Sequence, residues 1–425
     1  HMSAAWLIFH IQNDRLLNHL FALRGERVGT SFSDLIGNVT VKVDANGAVT
    51  HYVYDAQNRL IWTVDAAGSV IKTDYDTAGR AVAVRRYAAK VASGTLTTWG
   101  SGPITSSNVT GAVSTSSSDE IIRNVYDGDN FLIYQVDAAN RVTQFGYDGV
   151  GNVLRVTQYA TAITPPSLFT VANVASAIST NSADRITRTV YDAAGRQAFV
   201  IDAEGQITAF TYDGLGQIVK TRQYETKYTT SGDPSLSTMQ SWSSGLTSTQ
   251  TDEDRITRII FDEAGRVAYA VDAESYVTEF QYNTNGSVAK QIRYASTYTV
   301  TDTTTRSALA STIGTLPSTA AVTTFTYDAA GRVTQRTDAE GNATTFSYDG
   351  MGNVTDEVLG GSTIHRTYYP SGWLKTEVQG YGASEASTTY FTYDGVGRVL
   401  TSTRAYGTSD ASTVTRTYEI GRAHV

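Results

Sequence analysis

The 425-residue sequence contains no cysteine, six prolines, six histidines and three methionines. The absence of cysteine excludes disulfide bonds and thiol catalysis. No apolar run approaches the roughly 20 residues that a membrane-spanning helix needs. The net charge is −8, from 33 basic and 41 acidic residues. This charge argues against nucleic acid or an anionic membrane surface as the main partner.

Tyrosine is abundant instead, with 26 copies against 13 phenylalanines and 5 tryptophans. With Thr, Val and Gly also plentiful, the composition is typical of a β-rich chain with many turns. The dipeptide Tyr-Asp recurs in pairs with a constant interval, as at Tyr191 and Tyr212. A third tyrosine follows four of these pairs, at Tyr87, Tyr159, Tyr224 and Tyr294. The chain is therefore an array of repeats.

Each Tyr-Asp begins a phrase such as Asp-Ala-Ala-Gly that is typical of a tight turn. The aspartate can accept the N–H groups that close the turn, and glycine can take the positive φ that such turns require. Asparagine, which tolerates this conformation well, replaces glycine at three turns, whereas Ser275 does not fit the pattern. We predict a structural turn role for Asp192, Gly195, Asp202, Gly205, Asp262, Gly265, Asp328, Gly331, Asp338, Gly341, Asn58, Asn130 and Asn140.

The segments between the turns alternate like pleated strands, as in Leu60-Trp62-Val64. The strand that follows repeats Thr-x-Phe-x-Tyr, which predicts a structural aromatic ladder of Phe145, Tyr147, Phe210, Tyr212, Phe280, Tyr282, Phe346 and Tyr348. We favour core packing for these rings over stacking on a sugar or peptide. The predicted fold is all-β. Antiparallel strand-turn-strand units would form a spiralling sheet, a solenoid or a hollow shell or barrel, with short helical or loop inserts.

Inserts interrupt the repeats near 88–121, 160–184, 225–254 and 295–322. Five of the six prolines lie in these inserts, as expected if the regular segments form hydrogen-bonded strands. Segments 167–178 and 306–313 could each form a short helix. We expect residues 33–418 to be the array and residues 1–32 to be an atypical, partly non-native segment. Residues 419–425 can be encoded by a common sequencing adapter, which predicts a non-native tail and a chain from a longer, environmental gene.

Carboxylate pairs at Asp202 with Glu204 and Asp272 with Glu274 have the spacing of potential glycosidase residues. They occupy equivalent turns of successive repeats, however, whereas a catalytic pair is normally unique. No HxxxH, HExxH or GxSxG motif and no phosphate-binding glycine loop occurs. His365 is interpreted as a surface strand residue. The sequence therefore predicts no enzyme activity, no catalytic residue and no cofactor.

Two acidic clusters were considered as calcium sites, at residues 252–254 and 127–129. Calcium prefers several oxygen ligands, and neither an EF-hand loop nor another calcium repeat is present. We favour solvated loop charge for both clusters and predict no metal site.

The segment YDAAGRVTQRTDAEGNATTFSYDGMGNV (327–354) resembles the YD-repeat or RHS-repeat family, and the resemblance extends over about residues 33–418. That family includes Rhs polymorphic toxins, Tc-toxin C components, wall-associated proteins and teneurins. The resemblance implies a β-sheet shell that encloses the chain's own C-terminal toxic domain. The long inserts depart from the plain repeat, and the proline-containing cleavage region of Rhs shells is missing, so no autoproteolytic residue is transferred.

The resemblance predicts a structural shell fragment of a secreted or surface-delivered bacterial protein. Its partner would be a C-terminal cargo domain that this chain lacks. The alternative is an extracellular adhesion or carbohydrate-binding module that contacts glycans or cell-surface receptors through the inserts or the aromatic rows. We also expect the terminal strands to favour edge-to-edge self-association, because unpaired strand edges attract other strands.

Overall fold

The computed structural model describes residues 30–44, 47–369, 371–393 and 397–416. Residues 1–29 of the atypical N-terminal segment and the whole 419–425 tail lie outside the described residues. The described strands belong to one antiparallel sheet of 27 strands. No pairing among them joins the first strand to the last, so the sheet is open. The predicted all-β fold is confirmed.

The strands follow the predicted repeats. Two strands come first: β1 Thr30–Ser33 and β2 Val39–Val43. Repeat 1 contains β3 Val49–Tyr54, β4 Leu60–Val64, β5 Val70–Tyr75 and β6 Ala81–Arg86. Repeat 2 contains β7 Glu120–Tyr126, β8 Leu132–Val136, β9 Val142–Tyr147 and β10 Val153–Gln158. Repeat 3 contains β11 Arg185–Tyr191, β12 Gln197–Ile201, β13 Ile207–Tyr212 and β14 Ile218–Tyr224.

Repeat 4 contains β15 Arg255–Phe261, β16 Val267–Val271, β17 Tyr276–Tyr282 and β18 Val288–Thr297. The remaining strands have no long insert between them: β19 Ala321–Tyr327, β20 Val333–Thr337, β21 Ala343–Tyr348, β22 Val354–Leu359, β23 Ser362–Tyr368, β24 Leu374–Gln379, β25 Ser387–Tyr393, β26 Val399–Arg404 and β27 Ser412–Thr415. The last strand of repeat 4 extends past Tyr294 to Thr297, which pairs with Tyr276 across an irregular register.

Five short α-helices lie in the four inserts: α1 Ser93–Trp99, α2 Ser106–Ala112, α3 Val171–Ala177, α4 Leu236–Ser244 and α5 Arg306–Ile313. A 3₁₀ helix, Ser248–Gln250, follows α4. Four of them begin after a threonine or serine whose side-chain oxygen accepts a backbone N–H of the first turn, at Thr105, Thr170, Ser235 and Thr305. None of the described helices is long and apolar enough to cross a membrane.

The described residues divide into two compact units, those up to Asn124 together with those from Ser347 onwards, and Val125–Phe346. The buried side chains form one cluster in repeat 1 and one in each of repeats 2, 3 and 4. In each cluster one insert side chain packs on the strands with no more than 1% exposure, namely Val109, Val174, Met239 or Leu309. Each insert therefore contributes buried side chains to the core of its own repeat.

Each repeat buries the large side chains of one face of its strands, whereas small residues such as Ala198 and Ala268 are the buried ones on the other face. In repeat 3, Ile201 and Ile207 face each other across β12 and β13 and are fully buried beneath the insert. Their neighbours Val200 and Thr208 point to the opposite side and remain half-exposed. We call the insert side the covered face and the other side the open face.

Met239→Ala is expected to destabilise repeat 3 by about 2–5 kcal/mol, because it removes the insert side chain that fills the cluster and leaves a cavity. Urea unfolding followed by circular dichroism measures the effect. Ser241→Ala, on the exposed side of α4, is the matched control and should leave the midpoint unchanged. Equal midpoints for the two variants would show that the insert is not part of the core.

Candidate functional site

The repeated turn is held together by its aspartate. In the turn after β11, one carboxylate oxygen of Asp192 accepts the N–H groups of Ala194 at 2.9 Å and Arg196 at 3.0 Å. The Gly195 N–H donates to the Asp192 carbonyl at 3.0 Å. These bonds, led by that of the Arg196 backbone, lower the pKa of the Asp192 carboxyl. A type I turn followed by a left-handed residue produces this pattern and a bulge beside the tyrosine.

The predicted turn positions have the left-handed backbone: Gly195, Gly205, Gly265, Gly331, Gly341, Asn58, Asn130 and Asn140 have φ between 61° and 85°. Ser275, which did not fit the pattern, adopts the same conformation with φ of 68°. It occupies the place of Gly205, and its carbonyl likewise accepts an N–H from the following insert, that of Tyr298 at 3.0 Å. Backbone geometry at this position is thus kept although the side chain changes.

The tyrosine before each turn donates to the preceding strand. The Tyr212 hydroxyl donates to the Gln197 carbonyl at 2.9 Å, and the Tyr282 hydroxyl donates to the Val267 carbonyl at 2.9 Å. The accepting carbonyl belongs to the first residue of the neighbouring strand in both cases. The equivalent bond is also made by six further described tyrosines, Tyr54, Tyr75, Tyr147, Tyr191, Tyr327 and Tyr368. The repeated tyrosine therefore fastens a turn to the neighbouring strand.

The residue after the turn glycine also links neighbouring turns, and the sequence analysis did not predict this contact. Arg196 forms an ion pair with Asp192 at 2.7 Å, and its guanidinium lies 4.4 Å from the centre of the Tyr212 ring. Arg266 repeats both contacts with Asp262 and Tyr282. The signal was present, because Asp-x-x-Gly-Arg recurs along the sequence. The arginine links one turn to the tyrosine of the next.

The aromatic ladder residues lie outside the four buried clusters. Phe145, Phe210, Phe280 and Phe346 are all half-buried. Phe210 points to the same side as Thr208, two residues before it, and therefore lies on the open face. The buried aromatic side chains are others, and they include Trp62, Tyr134, Phe199 and Tyr269 on the covered face. Dense core packing, which we favoured for the ladder, belongs to this second set.

In two inserts, a carboxylate forms ion pairs at the boundary between its own repeat and the preceding one. We call this boundary the seam. Asp302 lies 2.7 Å from the Lys220 ammonium of β14 and 3.0 Å from the Arg258 guanidinium of β15. Burial alone would raise the pKa of the Asp302 carboxyl, but the two cations lower it. Asp233 lies 3.4 Å from both Arg155 and Arg188 at the seam before repeat 3. Each carboxylate thereby bridges two repeats.

Repeat 1 replaces this ion pair with a buried histidine. His51 on β3 occupies the position of Arg258, opposite Val64 as Arg258 is opposite Val271. Its side chain is 1% exposed and packs edge-on against Trp99 of the insert, with ring centres 5.7 Å apart. Burial lowers the pKa of the His51 imidazole. The neutral ring therefore belongs to the folded state.

The predicted solvated charge at 252–254 is wrong for Asp254. This carboxylate is 1% exposed, pairs with Arg222 at 2.5 Å and accepts the Glu225 N–H at 2.8 Å. It closes the base of the insert, as Asp119 and Asp184 do in repeats 1 and 2. In the other acidic cluster, Asp127 accepts two backbone N–H groups of its own turn. Among the described residues no group of three or more His, Asp or Glu could hold a metal ion.

The carboxylate pairs considered for hydrolysis have structural partners. Asp202 accepts the N–H groups of Glu204 and Gln206, and Glu204 forms an ion pair with Arg185 at 2.6 Å. Asp272 and Glu274 repeat this arrangement in the next repeat, with Arg255 as the cation. The two pairs are copies of one turn, and neither provides a unique acid and base.

His365, predicted to be a surface strand residue, lies on β23 and is partly buried. Its Nδ1 is 2.6 Å from an Asp356 carboxylate oxygen, and its ring stacks on Tyr381 with centres 4.4 Å apart. The histidine therefore joins β22 and β23 beside the short turn between them.

The comparisons with known proteins agree with this geometry. The RHS repeat family model matches residues 34–70, 191–226, 311–343 and 327–363. Each matched range contains turns of the kind described above. No curated protein sequence matches the chain.

Two solved structures share the fold. A crystal structure of TcdB2-TccC3-TEV aligns over 91% of this chain with 17% identity and a TM-score of 0.52. A Tc holotoxin pore structure from Photorhabdus luminescens with a mutated TccC3 aligns over 91% with 13% identity and a TM-score of 0.56. The chain spans 19% of the length of each matched chain. The chain therefore shares its fold with these Tc-toxin structures.

Alanine at two turn glycines should separate backbone strain from steric contact. Gly195→Ala and Gly205→Ala both place a side chain at positive φ, which costs about 1–3 kcal/mol. At Gly205 the new Cβ would also lie 2.8 Å from the Tyr228 carbonyl, whereas nothing lies within 4 Å at Gly195. Gly205→Ala should therefore have the lower urea midpoint.

Gly195→Asn is the control for this comparison and should be mild, since asparagine occupies equivalent turns. Equal losses at the two alanine variants would mean that the insert moves aside to accept the new side chain.

The stability of repeat 1 should fall as the pH is lowered through the histidine range. The folded pKa of His51 lies below its unfolded value of about 6.5. Between those two values the unfolded chain binds more protons than the folded chain, so stability is retained above about pH 6.5 and lost below it. The measurement is the difference in urea midpoint between the wild type and His51→Phe from pH 7.5 to 5. A difference that does not change with pH would contradict a buried neutral His51.

Proposed function

We propose, from the RHS repeats that this chain contains, that it forms part of the wall of a β-sheet shell whose open face is turned towards an enclosed polypeptide. The observation that carries this proposal is the contrast between the two faces. The covered face is sealed by the inserts, whereas the open face carries apolar and threonine side chains that remain half-exposed. A surface of this composition suits contact with an unfolded or partly folded chain.

The open face is continuous across the strands of the second compact unit. Thr189, Val200 and Thr208 are cross-strand partners that run from β11 to β13. Ile259, Ala270 and Thr278 form the corresponding row from β15 to β17. All six side chains are half-buried and none carries a charge. A long polypeptide could lie along such rows without requiring a specific sequence.

In the whole protein, the enclosed polypeptide would be a C-terminal toxin or effector segment, and the protein would be secreted or displayed on a bacterial surface. The chain itself would act as a container rather than as an enzyme. Residues 33–418 would form the array, with the four inserts as its covering layer. The strands β1 and β27, each with one paired neighbour among the described strands, would promote self-association of the isolated fragment.

Extracellular adhesion has less support from the geometry. The described insert helices turn one apolar residue into the core and present mainly Ser, Thr and Ala outward. An adhesive surface would be expected to display aromatic or apolar anchors on that side.

Binding of a permanently unfolded polypeptide tests the role of the open face. Fluorescently labelled lactalbumin, reduced and carboxymethylated, is the probe, and its anisotropy is measured against the full chain. Val200→Glu and Ala270→Glu place charges on the open face and should weaken the binding. Ser241→Glu adds the same charge on the exposed side of α4 and should not.

No binding by the wild type, or equal binding by all three variants, would contradict a polypeptide-facing surface. A second measurement uses the longer gene product, whose C-terminal segment should resist proteinase K while the array is folded. Immediate cleavage of that segment in the folded protein would contradict enclosure even if the open face binds the probe.

A further inference from the structure

The last six strands, β22 to β27, have no insert and no buried side chain. After Thr344 no described residue is buried, whereas each of repeats 1 to 4 has a buried cluster beneath its insert. At the end of the strands where the inserts lie in those repeats, the connections here are short, at residues 360–361, 380–386 and 405–411, and contain no helix. A sheet is stabilised by covering at least one of its faces. The cover for these strands therefore has to come from outside them.

The side of these strands that corresponds to the covered face follows from the turns. Tyr368 donates to the neighbouring strand as Tyr212 does, and Tyr212 lies on the open face, two residues after Phe210. His365 is three residues before Tyr368 and therefore points to the opposite side. Its cross-strand partner Val378 shares that side. We call this side of β22–β27, the side of His365 and Val378, the bare patch.

Two tyrosines at the edge of the bare patch occupy places that an insert buries elsewhere. The backbone N–H groups of Tyr381 and Tyr406 each donate to the neighbouring strand at 2.9 Å, as that of Tyr87 does at 3.0 Å in repeat 1. Tyr87 is 8% exposed beneath its insert, whereas Tyr381 and Tyr406 are 54% and 50% exposed. Tyr381 stacks on His365 and Tyr406 stacks on Tyr390, with ring centres 4.4 and 4.6 Å apart. Rigid, half-exposed aromatic rings of this kind are typical anchors of protein interfaces.

The polar groups of the bare patch bond to one another within the sheet. Three cross-strand pairs of threonines are joined through their hydroxyls at 2.5–2.8 Å, namely Thr367 with Thr376, Thr392 with Thr401, and Thr403 with Thr413. Asp356 bonds to His365 at 2.6 Å. A partner could therefore cover these groups without leaving them unsatisfied. The opposite side of the same strands is more highly charged, because Arg366 pairs there with Glu357 and Glu377.

We propose that the bare patch is the contact surface of a symmetric dimer, in which it packs face to face on the bare patch of a second copy of this chain. A two-fold interface brings the same surface of both copies together. The bare patch suits contact with itself because its threonine hydroxyls are bonded in pairs and its carboxylate, Asp356, is already bonded to His365. Two sheets pack in this way about 10 Å apart, with their side chains interdigitating. The proposal is independent of the proposed shell function, which concerns the open face.

The size of the bare patch predicts a weak dimer. Six strands about 4.8 Å apart, each about six residues long at 3.3 Å per residue, present roughly 500 Å² on each copy. The total of roughly 1,000 Å² is at the lower limit for a specific interface. We therefore expect a dissociation constant of about 1–100 μM.

Sedimentation velocity of the full chain, from about 1 to about 200 μM, tests the interface. The wild type should change from monomer to dimer within this range. Thr388 is the cross-strand partner of Val378 on the bare patch, and Thr389 is its neighbour on the open face. Thr388→Lys should move the change at least about tenfold higher in concentration, because the dimer would have to bury two added ammonium groups. Thr389→Lys is the matched control with the same substitution one residue away, and it should behave like the wild type.

Tyr406→Ser covers the case in which Thr388→Lys fails to fold, which circular dichroism would reveal. It removes a half-exposed loop ring and leaves the strands unchanged, and it should also weaken the dimer. A wild type that stays monomeric at the highest concentration would overturn the proposal and leave the bare patch to a different protein. A dimer that Thr388→Lys and Thr389→Lys weaken equally, or that neither weakens, would place the contact elsewhere, such as at the strand edges, and would overturn it as well.

Discussion

The array depends on one interaction, the aspartate carboxylate that accepts two backbone N–H groups within its own turn. That contact fixes where each strand ends. The third residue after the aspartate adopts the left-handed conformation, as Gly195 does after Asp192. The resulting bulge places the preceding tyrosine beside the neighbouring strand, where its hydroxyl finds a carbonyl. Register follows from the turn, and register decides which side chains face the inserts, because a shift by one residue would exchange the two faces.

The turns could be predicted from the sequence because their physics is local. An aspartate, two variable residues and a glycine contain all the groups that the turn needs, and the same phrase is written many times. The tyrosine hydroxyl bond was less accessible, because its partner is a backbone carbonyl that has no sequence signal. The arginine after the glycine, as at Arg196, was visible as a recurring residue, but its contact with the ring of Tyr212 appears only once two turns are adjacent in space.

The inserts could not be predicted as part of the core. Each contributes a single fully buried helix residue, and that residue is Val, Met or Leu according to the repeat. One apolar residue in a Ser- and Thr-rich segment has no periodicity to detect. The seam contacts are equally hidden, because His51 and Arg258 occupy the same position with different chemistry. Asp254 was predicted to be a solvated charge because its ion-pair partner, Arg222, lies on β14 and not in the insert.

The separate cluster beneath each insert has a consequence for how such chains change over generations. Because strands and insert of one repeat complete their own core, a duplicated or deleted gene segment of this length would leave the neighbouring clusters intact, and only the seam charges would need to match. Duplication or deletion of gene segments could therefore lengthen or shorten the array by whole repeats. A change that arises in a single repeat, such as the buried His51 of repeat 1, would leave the cores of the other repeats undisturbed.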